Sequence, residues 1–335
     1  MYHVKIIAEI AQAHDGSLGI LHSYIDALAE SGVDAIKFQT HIAEAESSAF
    51  EQFRVPFSYV DKSRFDYWKR MEFSLDQWRE IKAHCDSKGI EFMSSPFSNL
   101  AVDWLEEIGI SQYKIGSGEV SNLLLLERIA KTQKPVILSS GLSDWEELEM
   151  AIDFLKNKEV DVSVLQCTTA YPCPPERWGL NMIQALKEKF NLNTGYSDHS
   201  GVPTACIAAA SLGAEILEFH VVFDRRMFGP DASSSLTIDE VKYLVKAVRQ
   251  IEVAKNNPLQ RQISTSQNEL KIMFGKSLSI NKDLKKGHIL SMEDLEGKKP
   301  GDKGIPAKDF KKILGKKLKV DKCKWEFLNF EEIEL

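Results

Sequence analysis

Two histidines, two lysines and a set of hydroxyl and carboxylate residues stand at matching places along this chain. His199 follows Gly195-Tyr196-Ser197-Asp198, and His220 lies 21 residues later. Each ends an apolar run, and the helix-patterned stretch Pro203–Leu212 fits between them. One strand–helix–strand step returns the chain to the same face beside itself, so the two imidazoles are placed to share one ion. Neutral imidazole suits Mn, Fe, Co or Zn. Two histidines alone leave positions open for water and a substrate oxygen. The alternative is a pair of unrelated hydrogen-bonding histidines. The matched positions, with Asp231 in the next loop, favour the metal.

A second group suits an anion. Lys37 and Lys114 end apolar runs, and an inward lysine is costly to desolvate unless paired. Ser94, Ser95, Ser117, Ser139, Ser140 and Ser197 bring hydroxyls to the same rim, and Gly116, Gly118 and Gly141 let backbone N–H groups come close to a ligand. Two cations within a ring of hydroxyls suit a phosphorylated, carboxylated small molecule. The competing reading is structural: Lys–Glu pairs, such as Lys37 with Glu9, that hold the strand ends together. The carboxylates Glu9, Glu119, Glu218 and Asp231 are placed to move a proton or hold a water. Glu218 shares a strand face with His220 and is alternatively a partner for Lys37 or Lys114.

Eight strand-like runs must position these groups: Lys5–Ile10, Ala35–Gln39, Glu91–Ser95, the run after Gln112, Val136–Ser140, Val162–Thr169, Thr194–Asp198 and Glu215–His220. Segments with helical apolar spacing lie between most of them. This alternation, with polar residues at the same strand end each time, predicts an α/β fold, a (β/α)8 barrel with its active site on the C-terminal face. Thr40 to Leu75 breaks the rhythm. A connection that long on the catalytic face is expected to shape a substrate pocket, with a short helix near Lys62–Met71. The last barrel helix is predicted over Ile238–Lys255, capped by Thr237.

At 335 residues the length suits a barrel plus a small addition. We place the barrel at 1–258, a polar linker at 259–275 and a compact, turn-rich domain at 276–335. Residues 281–335 hold 14 lysines, no arginine and 11 acids, whereas the whole chain carries a formal charge of −7. An acidic chain argues against non-specific nucleic-acid binding. No signal peptide or transmembrane run is visible. Five scattered cysteines fit free thiols in a reducing cytoplasm. Cys167 and Cys173 match no common zinc spacing and are read as structural.

In order along the chain, Ala8-Glu9-Ile10, Ile36-Lys37-Phe38-Gln39-Thr40, Ser94-Ser95-Pro96-Phe97, Tyr113 through Glu119, Ile137 through Gly141, Tyr171-Pro172, Gly195 through His199 and Gly229-Pro230-Asp231 resemble the sialic (nonulosonic) acid synthase family. The family makes N-acetylneuraminate, legionaminate and pseudaminate. Leu295–Gly304 with Leu314-Gly315-Lys316 looks like its C-terminal antifreeze-like domain, a small β-rich β-clip. The resemblance implies condensation of phosphoenolpyruvate with the open-chain aldehyde of an N-acylated hexosamine. It implies His199 and His220 as ligands of a divalent metal, foremost Mn2+ with Mg2+ or Co2+ as alternatives. Lys37, Lys114, Ser117, Ser139 and Ser197 match phosphoenolpyruvate contacts. Glu9, Gln39, Glu119, Tyr171 and Asp231 match sugar-side and acid–base positions. It also implies a domain-swapped homodimer in which the small domain caps the partner's barrel.

The chain departs from the family at Ala13-His14, Gln166-Cys167 and Thr169, and over Ala43–Leu75. At Lys299 the family has an arginine that reaches the acyl group, and lysine lacks its planar fork. These departures leave the choice of sugar open. Two alternatives remain. A related 3-deoxy-keto acid synthase or metal-dependent aldolase would want a second phosphate site, for which no spare basic cluster is visible. A sugar-binding module would not need the full strand-end set.

Overall fold

The structure is a computed structural model that describes residues 1–260 and 264–334. The chain divides into two compact units, Met1–Pro258 and Leu259–Leu335. In the first, strands β1 (Lys5–Glu9), β2 (Ala35–Thr40), β3 (Glu91–Pro96), β4 (Tyr113–Ile115), β5 (Val136–Ser139), β6 (Val162–Cys167), β7 (Thr194–Asp198) and β8 (Ile216–Val222) are parallel neighbours in sequence order. β1 also pairs with β8, which closes the sheet into a barrel. A two-residue strand, β9 (Leu236–Thr237), continues beyond β8. It is too short to carry a sequence pattern.

Helices α1 (Leu18–Ala29), α2 (Ala43–Glu46), α3 (Arg64–Met71), α4 (Leu75–Ser87), α5 (Asn99–Glu107), α6 (Leu123–Ala130), α7 (Trp145–Lys156), α8 (Asn181–Phe190), α9 (Pro203–Ser211) and α10 (Ile238–Asn256) complete the unit. Most start at a Ser, Asn, Asp or Thr whose side chain accepts from the third residue of the helix, an N-terminal amide that otherwise lacks a partner. α3 falls within the helix expected near Lys62–Met71, and α2 is an extra turn in the same connection. No helix among the described residues is long and apolar enough to cross a membrane.

The barrel interior follows the two-residue period of a strand. Ile7, Ala35, Met93, Ile137, Leu165 and Ile216 form one buried apolar cluster across six strands. Two residues further along each strand stand Glu9, Lys37, Ser95, Ser139, Cys167 and Glu218. An apolar plug therefore lies directly under a polar layer at the C-terminal strand ends.

The second unit is built differently. The stretch read as linker, 259–275, contains helix α11 (Thr265–Phe274), opened by a capping box between Ser264 and Gln267; residues 261–263 lie outside the described residues. Strands β10 (Ser277–Ile280) and β11 (Leu295–Lys298) pair antiparallel, and isolated bridges such as Ser279–Phe327 and Leu318–Ile333 tie turns together. Within Ile313–Val320 the pairing among the described residues is by isolated bridges at Lys317 and Leu318. Nine buried aliphatic residues, among them Leu278, Ile280, Leu318 and Leu328, form its core.

Gly195 in β7 shows how closely the barrel strands meet. A Cβ there would lie 2.3 Å from the Ile216 carbonyl oxygen and 2.5 Å from Leu165 Cδ2. Neither backbone nor packed leucine can yield, so Gly195→Ala is expected to destabilise the chain by about 1–3 kcal/mol. Thermal unfolding will show this as a midpoint several degrees lower; an unchanged midpoint would disprove the close-contact argument.

Candidate active site

At the C-terminal end of the barrel four charges share one buried cluster. Lys37 Nζ lies 2.9 Å from Glu9 Oε2 and 3.1 Å from Glu218 Oε1, and Lys114 Nζ lies 3.3 Å from the same Glu218 oxygen. All four side chains are 2–3% exposed. Strand register builds the cluster, because Glu9 is level with Lys37 on one side and His220 on the other, and Glu218 is level with Ser197. Lys114 also donates to Ser139 Oγ at 2.6 Å, and Ser197 donates to Glu218 at 3.1 Å. The structural reading of the lysines, as partners of glutamates, and the binding reading thus describe the same atoms.

The electrostatics are unequal. Burial pushes the Glu218 carboxyl up, but the Lys114 and Lys37 charges outweigh it and hold it below the usual range. Glu9 is likewise pushed up by burial and held well down by Lys37, His220 and Lys114. Burial pulls Lys37 down, and two carboxylates more than reverse this. For Lys114 burial is the largest influence; Glu218 in contact and the more distant Glu9 do not offset it and the repulsion of Lys37, so its ammonium is held below its ordinary value. Lys114 is the cation with most to gain from an arriving anion. Glu218 Oε2 and Ser95 Oγ are buried with no hydrogen-bond partner among the described residues.

The histidines border this cluster. His199 and His220 have ring centroids 5.3 Å apart, and His220 Nε2 lies 3.4 Å from Glu9 Oε2. His199 Nδ1 is 3.0 Å from the Thr168 carbonyl oxygen and 3.9 Å from Cys167 Sγ. An N–H at Nδ1 donates to that carbonyl, which leaves Nε2 as the ring nitrogen for another partner. Burial draws His199 down, yet Cys167 and Thr168 push it up to about 9. Burial holds His220 below its ordinary value. No group of three or more His, Cys, Asp or Glu residues among the described residues forms a ready metal cluster. The two imidazoles are a two-donor pair rather than a closed cage.

Beside the histidines opens a cavity of about 400 Å³, lined by Gln39, Ser117, Glu119, Tyr171, His220 and Asp231 among others. Lys37, Lys114, Ser139 and Ser197 are not among the lining residues; they lie buried in the barrel end. Gln39 donates to Glu9 Oε1 at 2.6 Å and so ties cavity wall to charge cluster. Burial, with the nearby Glu46 charge, raises the Glu119 carboxyl despite a 2.7 Å hydrogen bond from Asn122. Ser94 is not part of the site: it bonds Thr40 Oγ1 at 2.7 Å and the Phe38 carbonyl. Lys299 is exposed in the second unit, with Nζ 5.0 Å from the Phe274 ring centroid.

Three features escaped the sequence reading. Cys167, taken as structural, sits between Ser117 and His199, at 3.7 Å and 3.9 Å. A spacing test for zinc does not detect a lone thiol beside one histidine. His41 is stacked between Trp68 and Phe97, with centroids 3.9 and 4.4 Å away, and its Nδ1 is 2.6 Å from Glu46. The rim is also not free of arginine: Arg54 and Arg64 line the cavity, paired with Asp231 and Glu51. The long connection after β2 carries Arg54, Arg64, Glu46 and Trp68, in line with the expectation that it shapes a pocket. Its aromatic and charged composition was the available signal.

Residues 24–260 match the NeuB family. The chain is 36% identical over 322 residues to an N,N'-diacetyllegionaminic acid synthase of Campylobacter jejuni, covering 94% of this chain and 96% of the relative. It is 35% identical over 323 residues to a pseudaminic acid synthase of the same species, covering 95% and 93%. A crystal structure of N-acetylneuraminic acid synthetase from Leptospira borgpetersenii superposes with a TM-score of 0.71 at 32% identity, covering 80% of this chain and 90% of that one.

The charge cluster generates a stability prediction. Glu218→Gln leaves two buried ammonium groups facing one carboxylate, and breaking a buried pair costs about 3–5 kcal/mol. Because Glu218 and Glu9 are held down in the fold, their contribution is present above the usual glutamate value of 4.5 and is lost as pH falls through the folded values. Urea unfolding at pH 7 is expected to show the full loss, and the gap between variant and wild type is expected to narrow below pH 4.5. A gap that does not change with pH would refute the ionic origin.

Proposed function

The chain belongs to the NeuB family of sialic (nonulosonic) acid synthases, and from that premise we propose the reaction and the roles of its residues. It condenses phosphoenolpyruvate with an open-chain N-acylated aldohexose. Carbon 3 of phosphoenolpyruvate attacks the aldehyde carbon, water adds at carbon 2, and phosphate leaves with C–O cleavage. The observation that carries the assignment of the site is the pair of buried lysines at adjoining positions of the barrel end, beside two histidines and an open cavity.

Lys114 and Lys37, with Ser117, Ser139 and Ser197, hold the phosphate and carboxylate groups. Lys114 leads, since it has the smaller share of carboxylate charge. Glu9 holds Lys37 and orients Gln39 toward the acceptor. Tyr171 and Gln39 form walls of the acceptor subsite. Glu119, whose raised carboxyl retains a proton more readily than an ordinary glutamate, and Asp231 are the candidates for orienting the water and protonating the new alkoxide. The donor set, a neutral-prone His220 and a His199 whose Nε2 becomes a donor once its proton is displaced, fits a divalent metal, with Mn2+ foremost and Mg2+ or Co2+ as alternatives. When bound, such an ion supplies a Lewis acid for the aldehyde oxygen.

We further read 276–335 as the antifreeze-like domain and the assembly as a domain-swapped homodimer, in which Lys299 of one protomer serves the acyl group bound in the other. Its exposure and a nine-residue core, small for an independent domain, support this reading. Few, unpaired cysteines support a reducing, cytoplasmic setting.

The test is phosphate release from phosphoenolpyruvate with Mn2+, across N-acetylmannosamine and the 2,4-diacetamido-6-deoxy hexoses that feed legionaminate and pseudaminate. We expect release with at least one aldose, abolished by a chelator and by His199→Ala. Silence with every aldose from folded, metal-loaded protein would reject the reaction. A second prediction follows from His199, which Cys167 and Thr168 push up to about 9. A metal ion must displace that proton, so Mn2+ affinity is expected to rise about tenfold per pH unit between pH 6 and 8. Calorimetric titration will measure it, and a flat profile would exclude His199 as a ligand.

A further inference from the structure

Arg54 lies 177 residues from Asp231 in sequence, on the long connection between β2 and α4. Its Nη2 donates to Asp231 Oδ1 at 2.7 Å, while Asp231 Oδ2 lies 4.0 Å from His220 Nδ1. The same guanidinium stands 4.0 Å from the Tyr171 ring centroid, and that ring packs 4.1 Å from His199. One side chain thus grips a carboxylate beside one histidine and covers the ring that packs on the other. The connection has its own anchors: Phe57 and Tyr59 pack on Phe228, and Trp68 Nε1 donates to Glu51.

An ion pair at a surface contributes little. Here Asp231 is only 17% exposed, and the planar fork both pairs and stacks, which lysine cannot do together. We infer that Arg54 is a positioning residue of this site. It fixes the Asp231 carboxylate and the Tyr171 ring around the histidine pair, and it thereby makes residues 47–63 the outer wall of the acceptor subsite. The inference rests on the reaction proposed above for its kinetic consequence, and on geometry alone for its structural one.

The kinetic test compares Arg54→Ala and Arg54→Lys using phosphoenolpyruvate and whichever aldose of the panel is turned over. Loss of a residue that orients ligand neighbours costs about 10–100-fold. Arg54→Ala is therefore expected to lower kcat by about that factor with the KM for phosphoenolpyruvate unchanged, and Arg54→Lys to restore only part. In an Asp231→Asn background, Arg54→Ala is expected to cost less, because only its contact with the Tyr171 ring is left to lose. An unchanged kcat, or the same further loss in that background, would overturn the inference. The structural test needs no turnover. Arg54→Ala and Asp231→Asn are each expected to speed backbone hydrogen exchange across 47–63 while the barrel strands stay protected, and unchanged exchange there would overturn the placement. If no aldose reacts with wild-type protein, the proposed reaction fails, and hydrogen exchange still decides the role of Arg54.

Discussion

Everything at the C-terminal barrel end is arranged around the burial of four charges. Two ammonium and two carboxylate groups, nearly without solvent, would be ruinous if unpaired. They are tolerable because the charges alternate, Glu9 with Lys37, Lys37 with Glu218 and Glu218 with Lys114, and strand register sets Glu9 beside Lys37. The balance is formally neutral yet uneven, with Lys37 facing two carboxylates and Lys114 one. The cluster is stable as it stands and still electrostatically open on the Lys114 side. A barrel is suited to holding such a group, since strands from all sides fix each member and leave little room for rearrangement.

The layers above and below serve this constraint in different ways. Beneath, the apolar cluster of Ile7, Ala35, Met93, Ile137, Leu165 and Ile216 separates the charges from the opposite mouth of the barrel and lowers the local dielectric. Above, hydrogen bonds lead outward from Glu9 to Gln39, His41 and Glu46. That chain crosses from a barrel strand into the long connection after β2. The position of the outer wall is therefore linked to the charge cluster through polar contacts as well as packing.

The barrel was legible because its pattern is local and repeated. Polar residues at the end of short apolar runs, two residues apart on one face, identified Glu9, Lys37, Lys114, Ser139, Ser197, Glu218 and both histidines as neighbours. Ser94 was misplaced for the same reason: it is one residue out of phase with Ser95, and a one-residue step reverses the face. Arg54 and His41 were not legible, because their roles depend on how a connection folds back over the barrel, and no short-range period encodes that. Cys167 does lie on the inward phase, but its chemistry comes from His199, 32 residues away. Helix α11 was hidden by its polar composition, although Ser264 and Gln267 carry a recognisable cap.

The two halves of the site are constrained unequally. A change at Lys37, Glu9, Glu218 or Lys114 disturbs the balance of buried charge and, in the proposed reading, the binding of an anion, so these positions answer to folding and to chemistry together. The cavity wall, the proposed acceptor half, is assembled from a different source. Arg54, Glu46 and Trp68 come from the connection between β2 and α4, and Tyr171 and Asp231 from the loops after β6 and β8. These residues balance one another in local pairs, Arg54 with Asp231 and His41 with Glu46, and His41 and Glu46 reach the buried cluster only by way of Gln39. Substitution there can reshape the wall while leaving the charge layer intact. In the proposed reading, a fold built this way keeps one substrate fixed by its own stability requirement and leaves the other to be chosen by loops.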